Sequence, residues 1–222
     1  AARVTASPSL ANQWDLRHAA DVVAALAHAI ADDAARAEVL AIADDAARAE
    51  VLAATAAAAA RLAPLIATLP LQAVHGDITD DNVVARCDDA GRQRPHGIID
   101  FGDLALGYRV AELAVACSCV LRHNGDDAFA VLPAVAAFHA LAPLSGAEVA
   151  ALWPLVVLRG AVLVVSGEHQ SRLDPDNASA TGPLESEWRI FRAAAVLPAD
   201  LAETAFRAAL RLDPVLPPRY AF

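Results

Sequence analysis

The stretch AVHGDITDDNVV, from Ala73 to Val84, sets Asp77 two residues after His75 and five residues before Asn82, and a later IIDFG carries Asp100. An ionised carboxylate at Asp77 suits the orientation of a hydroxyl group and the late acceptance of its proton. Oxygen donors at Asn82 and Asp100 suit Mg²⁺, which takes a few protein oxygens and fills its shell with phosphates and water. A base, an Asn at +5 and a D-F-G aspartate form the set used for phosphoryl transfer to a hydroxyl, a reaction that gains mostly from positioning and charge neutralisation. Each fragment alone is weak, since an Asp that ends a strand is more often a turn residue than a ligand. The order and spacing of all three carry the reading.

For these residues to meet, the chain between them must double back. LQAV is a short strand candidate, and NVVAR and HGIID are two more, separated by the turn-rich CDDAGRQRP. A hairpin of the last two returns Asp100 beside Asn82. Upstream the pattern is helical: Leu16, Ala20, Val23 and Leu26 form an apolar stripe after an Asp cap. A second helical region is predicted from about Asp32 to Ile66, and within it AIADDAARAEVL occurs twice, at Ala29–Leu40 and Ala41–Leu52. One tandem copy is no solenoid. If helical throughout, the extra copy adds ~18 Å and turns the downstream face by ~120°. Alternatively its ADD caps a fresh helix and the copy loops out as a hairpin or protrusion. We read it as an insertion remote from the chemistry, with a partner-binding role as the alternative. Helical patterns return in RVAELAVACSCVLRH, DAFAVLPAVAAFHAL, GAEVAALWPLVVLRGAVLVVSGEHQ and ADLAETAFRAALRL, joined by polar linkers such as LDPDNASATGP. The predicted fold class is mainly α with a small β-hairpin platform. It forms one domain over 1–222, with helices in 14–70, the loop, hairpin and turn in 71–103, and a helical subdomain in 104–222.

A net charge of −10 and a pI near 5.0 disfavour nucleic acid and anionic membrane surfaces as partners. The greasiest run, Leu152 to Gly167, is broken by Arg159 and falls short of the ~20 residues that span a bilayer, so it is predicted to be a buried helix. Cys87, Cys117 and Cys119 suggest neither a disulfide framework nor a four-ligand structural zinc, and with no secretory pattern at the start they point to a cytoplasmic setting. No methionine occurs, so the numbering does not start at an initiator; removal of one residue and descent from a longer polypeptide both explain this.

HGDITDDNVV and GIIDFGDLALGYRVAELAVA resemble the aminoglycoside phosphotransferase and choline kinase superfamily, in which Gly takes the middle of the H-R-D triplet. More narrowly, WDLRHA, IIDFGDLALGYRVAELA and RLDPDN are similar to hydroxylysine kinases and to the kinase domains fused to class III aminotransferases. The resemblance covers roughly Trp14 to Leu212. It implies the helical C-terminal lobe of a protein-kinase-like fold, with Asp77 as catalytic base, His75 as structural partner of the loop, and Asn82 and Asp100 as Mg²⁺ ligands. ATP is the implied co-substrate, and an amino alcohol such as hydroxylysine, or an aminosugar, the acceptor. Asp80 is a candidate contact for the substrate or for a second metal. Asp103 either approaches the metal or substrate amine or caps the turn. Asp81 reads as a solvated loop acid, Glu112 as a structural hydrogen-bonding group.

Such kinases clamp the nucleotide with a β-rich N-terminal lobe that carries a glycine loop and a strand lysine. All 17 basic residues here are arginines, and no G-x-G-x-x-G occurs. The N-terminal lobe is therefore expected to be absent from these 222 residues, and the chain inactive alone. It is then the C-terminal lobe of a larger enzyme, a truncated paralogue, or a lobe that borrows its nucleotide clamp from another chain. Two other readings compete. GDITD fits part of a dinuclear metallophosphoesterase pattern, but the upstream D-x-H and downstream G-N-H are missing. A pseudokinase-like binding or scaffolding module would differ in showing no Mg²⁺-dependent nucleotide binding.

Overall fold

The computed structural model describes residues 13–30, 38–124, 127–176 and 182–212. A short 3₁₀ turn, Leu16–His18, leads into α1 (Ala19–Leu26), and the Asp15 carboxylate caps it by accepting from the Arg17 amide at 3.0 Å. Leu16, Ala19, Val22, Val23 and Leu26 are buried, whereas Ala20 of the predicted stripe is only half-buried.

Helix α2 (Glu38–Leu62) runs unbroken through the second copy of the repeat. Asp44 and Asp45 therefore lie inside a helix and do not cap a new one, and the alternative of a looped-out second copy is corrected. Val51 from this copy is fully buried, so the core holds the segment in line. Residues 31–37 of the first copy, and with them the expected helix start at Asp32, lie outside the described residues.

The β segment is two nested antiparallel pairs. β1 (Leu71–Val74) pairs with β4 (Ala105–Tyr108), Leu71 facing Tyr108 and Val74 facing Ala105. Between them β2 (Val83–Cys87) pairs with β3 (Gln93–Ile98), with a register shift at Val84/Ala85. β1 and β2 stand where LQAV and NVVAR were read, to within a residue, whereas β3 starts at Gln93, inside the segment read as turn, and ends at Ile98, before the Ile99 and Asp100 of the candidate HGIID; β4, the ALGY segment, was not foreseen. It closes the outer pair, which forces the loop after β1 and the turn before β4 to lie against each other.

The rest is helical: α3 (Arg109–Asn124), α4 (Leu132–Leu141), α5 (Gly146–Leu173), α6 (Leu184–Val196) and α7 (Ala199–Ala209). α5 is the axle of the fold, packed against α1, α2, α3, α6 and α7. It opens on a capping box in which Ser145 and Glu148 satisfy each other's backbone amides. Glu148 also takes a two-point bond from Arg109 at 2.6 and 2.8 Å, which ties the start of α3 to the start of α5. α5 is long and apolar enough to cross a membrane, but 89% of its apolar window is buried within the fold. Hydrophobicity all round the helix is what a central core helix needs. α6 was not foreseen; its buried Ile190, Phe191, Ala193 and Ala194 make the face that meets α5.

The α5–α6 approach is close because Gly160 has no side chain. A Cβ there would meet the Phe191 Cα at 2.9 Å, and a backbone atom cannot rotate away. Gly160→Ala gains ~1 kcal/mol of helix propensity but overpacks this seam at a cost of ~1–3 kcal/mol. The expected result is a net loss of about 1 kcal/mol, read as a lower urea midpoint with an unchanged slope.

Candidate active site

The loop after β1 starts at His75, which is buried. Its Nε2 lies 2.9 Å from the Ile99 carbonyl and its Nδ1 accepts from the Asp77 amide at 3.4 Å, so the Nε2–H tautomer satisfies both. Phe101 packs edge-on against the imidazole at 4.9 Å between ring centroids. His75 thus joins the two halves of the nested hairpin, directly before the loop and directly before Asp100. Gly76 has φ +84°, a left-handed value that favours glycine, and its amide donates to Glu112 Oε1 at 3.0 Å. Glu112 does structural hydrogen bonding, in agreement with expectation.

Asp77 is gripped from two sides. Its Oδ1 accepts from Arg159 Nη2 at 2.6 Å and its Oδ2 from Asn82 Nδ2 at 3.0 Å, while Asn82 also donates to the Asp77 carbonyl at 2.9 Å. Arg159 comes from the middle of α5, and its guanidinium lies over the Trp14 ring at 4.8 Å. Burial pushes the Arg159 guanidinium down, opposed by the charges of Asp77, Asp103 and Glu187 around it. Even so, an arginine keeps its charge in a protein, so a buried cation holds the Asp77 carboxylate in a single orientation.

Asp100 sits next to Asn82 in the backbone, because the Ile99 amide donates to the Asn82 carbonyl at 3.0 Å. Its φ of 61° and ψ of 67° lie in the left-handed region, which Asp tolerates better than most residues. Its side chain caps the Phe101–Asp103 turn through the Gly102 amide, so the capping considered for Asp103 belongs to Asp100. The Asp103 charge instead acts on Arg159. Asn82 uses its amide nitrogen on Asp77, and no described residue donates to its Oδ1, which leaves that oxygen and the Asp100 carboxylate as the hard donors Mg²⁺ prefers.

A cavity of about 270 Å³ opens beside Asp77, and Trp14, Asp81, Arg122, Arg159 and Glu187 are among its walls. Of the two loop acids, Asp81 is 73% exposed, as expected of a solvated loop acid. Asp81 lines the cavity and pairs with Arg122 at 3.0 Å, while Asp80 turns to α3, bonding Cys119 at 3.0 Å and His123 at 2.7 Å. The Asp80 carboxyl is held low, foremost by the Cys119 bond, while burial and that same bond push the Cys119 thiol up to about 11.

Glu187 is the site's other feature that the sequence reading missed. It sits against Gly167 on α5, where any side chain would collide with its carboxylate, and its Oε2 has no hydrogen-bond partner among the described residues. Burial pushes this carboxyl up to about 7, against the pull of Arg159 and with a push from Glu168. Because the folded pKa lies above the unfolded value of 4.5, the folded state binds more protons between the two, and stability falls as pH rises through about 4.5 to 7. Glu187→Gln removes that loss. The variant is expected to match the parent at pH 4.5 and to exceed it by about 1–2 kcal/mol at pH 8 in chemical denaturation, after discounting for solvent screening.

These features, a gripped carboxylate beside hard oxygen donors and a small cavity on a helical body with nested hairpins, are consistent with a phosphotransferase of the kinase-like kind. The profile of APH, the phosphotransferase enzyme family, matches residues 4–153, and the chain belongs to that family. Hydroxylysine kinase of Danio rerio is 29% identical over 103 residues, which is 46% of this chain and 29% of that protein. The Xenopus laevis hydroxylysine kinase is 31% identical over 108 residues with the same shares, and that of Mus musculus 29% over 107 residues, 46% and 28%. The matched segment thus spans under a third of the length of these relatives. No solved structure matches the chain significantly.

Proposed function

We propose that this chain is the catalytic lobe of an ATP-dependent kinase that phosphorylates a hydroxyl of a small amino-containing metabolite, with hydroxylysine-like amino alcohols first among the acceptors. The observation that carries the reading is Asp77, held between Arg159 and Asn82 on the wall of the cavity. An acceptor hydroxyl in that cavity donates to Asp77, which fixes the oxygen's attack direction and takes its proton as the new bond forms. Asn82 and Asp100 would hold Mg²⁺, and His75 keeps their two backbone segments together. Mg²⁺ with its nucleotide, when bound, supplies the phosphoryl group and neutralises charge on it. Asp103 acts through Arg159 and is assigned no contact with substrate.

Amine preference follows from charge. Asp77, Asp81 and Glu187 line the cavity against Arg122 and Arg159, and each arginine is already paired with one of the acids. Among the described residues no group donates to Glu187 Oε2, so an ammonium group on the acceptor is the natural counter-charge. Ile98, Ile99, Phe101 and Leu104 expose large apolar side chains on the hairpin and its turn, in keeping with a nucleotide-holding lobe that packs there in the whole enzyme.

The experiment is a substrate panel with the full-length polypeptide that carries this chain and Mg·ATP: 5-hydroxylysine, ethanolamine, homoserine, an aminoglycoside, and a diol lacking the amine. Phosphorylation of amine-bearing acceptors at least tenfold above the diol, with negligible turnover by the 222 residues alone, is the expected result. Robust turnover by the isolated chain, or equal use of the diol, contradicts the proposal.

A further inference from the structure

Cys119 and His123 stand one turn apart on α3, so their side chains leave the same face of the helix. Asp80, three residues after Asp77, meets that face. The Cys119 thiol donates to its Oδ1 at 3.0 Å, and His123 Nε2 lies 2.7 Å from its Oδ2. A sulfur, an imidazole nitrogen and a carboxylate oxygen thereby gather within 4.8 Å of one another. Metal–ligand bonds of ~2.0–2.3 Å in a tetrahedron put donors roughly 3.3–3.8 Å apart. Opening the two short contacts by less than ~1 Å admits an ion of that size, and the half-exposed Asp80 and His123 have room to do so.

We propose that Asp80, Cys119 and His123 form a binding site for a zinc-class divalent cation, with water in the fourth position, that fastens the Asp77 loop to α3. The mixed sulfur, nitrogen and oxygen set favours a borderline-soft ion over Mg²⁺, so this site is chemically distinct from the all-oxygen pair Asn82 and Asp100. Three protein ligands and an open position differ from a closed four-ligand structural zinc, which the cysteine count had argued against. On binding, the two hydrogen bonds of Asp80 give way to metal–ligand bonds. The Cys119 sulfur binds as thiolate and its proton leaves to solvent, His123 binds through neutral Nε2, and no electron moves. Arg122 is the opposing charge, 3.7 Å from Asp80 Oδ1. It also pairs with Asp81 at 3.0 Å, so it keeps a partner while withdrawing from the ion. Cys119 and Asp81 line the same cavity as Asp77, and an ion here stiffens that wall.

The site stands independently of the kinase reading and is tested on the 222-residue chain itself, reduced and without a polyhistidine tag. Zn²⁺ is titrated by calorimetry, and Co²⁺ is followed by its thiolate charge-transfer absorbance. The proposal expects one ion per chain with a dissociation constant of about micromolar or tighter, and a thiolate band with Co²⁺. Cys119→Ser and His123→Gln should each weaken binding at least tenfold and Cys119→Ser should abolish the band, whereas Cys87→Ser, at the exposed end of β2, should change neither. Circular dichroism checks the fold of each variant. His123 is exposed enough that its replacement decides the question even if Cys119→Ser misfolds. Absence of saturable one-to-one binding, binding that survives the His123 substitution, or binding lost with Cys87→Ser overturns the proposal.

Discussion

Asp77→Asn is expected to lower kcat of the full-length polypeptide about 10³-fold while KM for nucleotide stays within about twofold. The amide keeps an oxygen for Arg159 Nη2 and so preserves much of the geometry, but it cannot take the acceptor's proton. A general base contributes ~10²–10⁴-fold, and the middle of that range fits a reaction in which positioning carries most of the gain. The same change has a stability cost that the geometry makes specific. Arg159 has 4% of its side chain exposed, so the loss of Asp77's charge strands a cation that water cannot reach. Removing one partner of a buried pair costs ~3–5 kcal/mol; the charges of Asp103 and Glu187 offset part of that, and about 2 kcal/mol is expected. Urea denaturation of the 222-residue chain reads this cost separately from kcat, and a kcat within tenfold of the parent would remove Asp77 from the chemistry.

Arg159→Met should give the opposite balance. The cation is replaced by an apolar chain of similar length; of the acids left facing it, Asp77 is 33% exposed and can hydrate, and Glu187, whose carboxyl burial already pushes up to about 7, can take a proton. Replacing a buried ion with a well-packed apolar residue is often neutral, so stability within about 1 kcal/mol of the parent is expected. Activity should still fall about 10²-fold, because only Asn82 then orients the carboxylate and small misplacements are expensive in rate. The pair of variants therefore separates the two roles: Asp77→Asn is worse for both stability and rate, while Arg159→Met loses rate with little loss of stability. Equal destabilisation by the two would contradict the buried, one-sided character of the pair.

Asp77, Asn82, Asp100 and His75 could be read from the letters because their relation is local. Their spacing is short, the hairpin that unites them has its own turn signal, and the observed Asn82–Ile99 backbone bond is the register that hairpin requires. Arg159 was visible only as an interruption in an apolar run; a lone cation inside a core helix signals a buried partner, but nothing in the sequence says that the partner is Asp77. Glu187 escaped notice because no separate helix was read over 184–196 and because its niche depends on a glycine in another helix. β4 is only ALGY, too short to show a period, and its identity rests on pairing with β1. Cys119 and His123 were not singled out together, since the third member of their cluster, Asp80, lies far away in sequence. In the repeat, propensity left two outcomes, a straight helix or a looped copy, and the burial of Val51 separates them.

The most direct test is single-turnover transfer of the γ-phosphoryl group from labelled Mg·ATP to 5-hydroxylysine by the full-length polypeptide, parent against Asp77→Asn. The expected result is a labelled phosphate ester formed by the parent and slowed about 10³-fold in the variant, with both proteins binding nucleotide alike. Equal transfer rates in the two proteins, or no ester from any amine-bearing alcohol, would contradict the account.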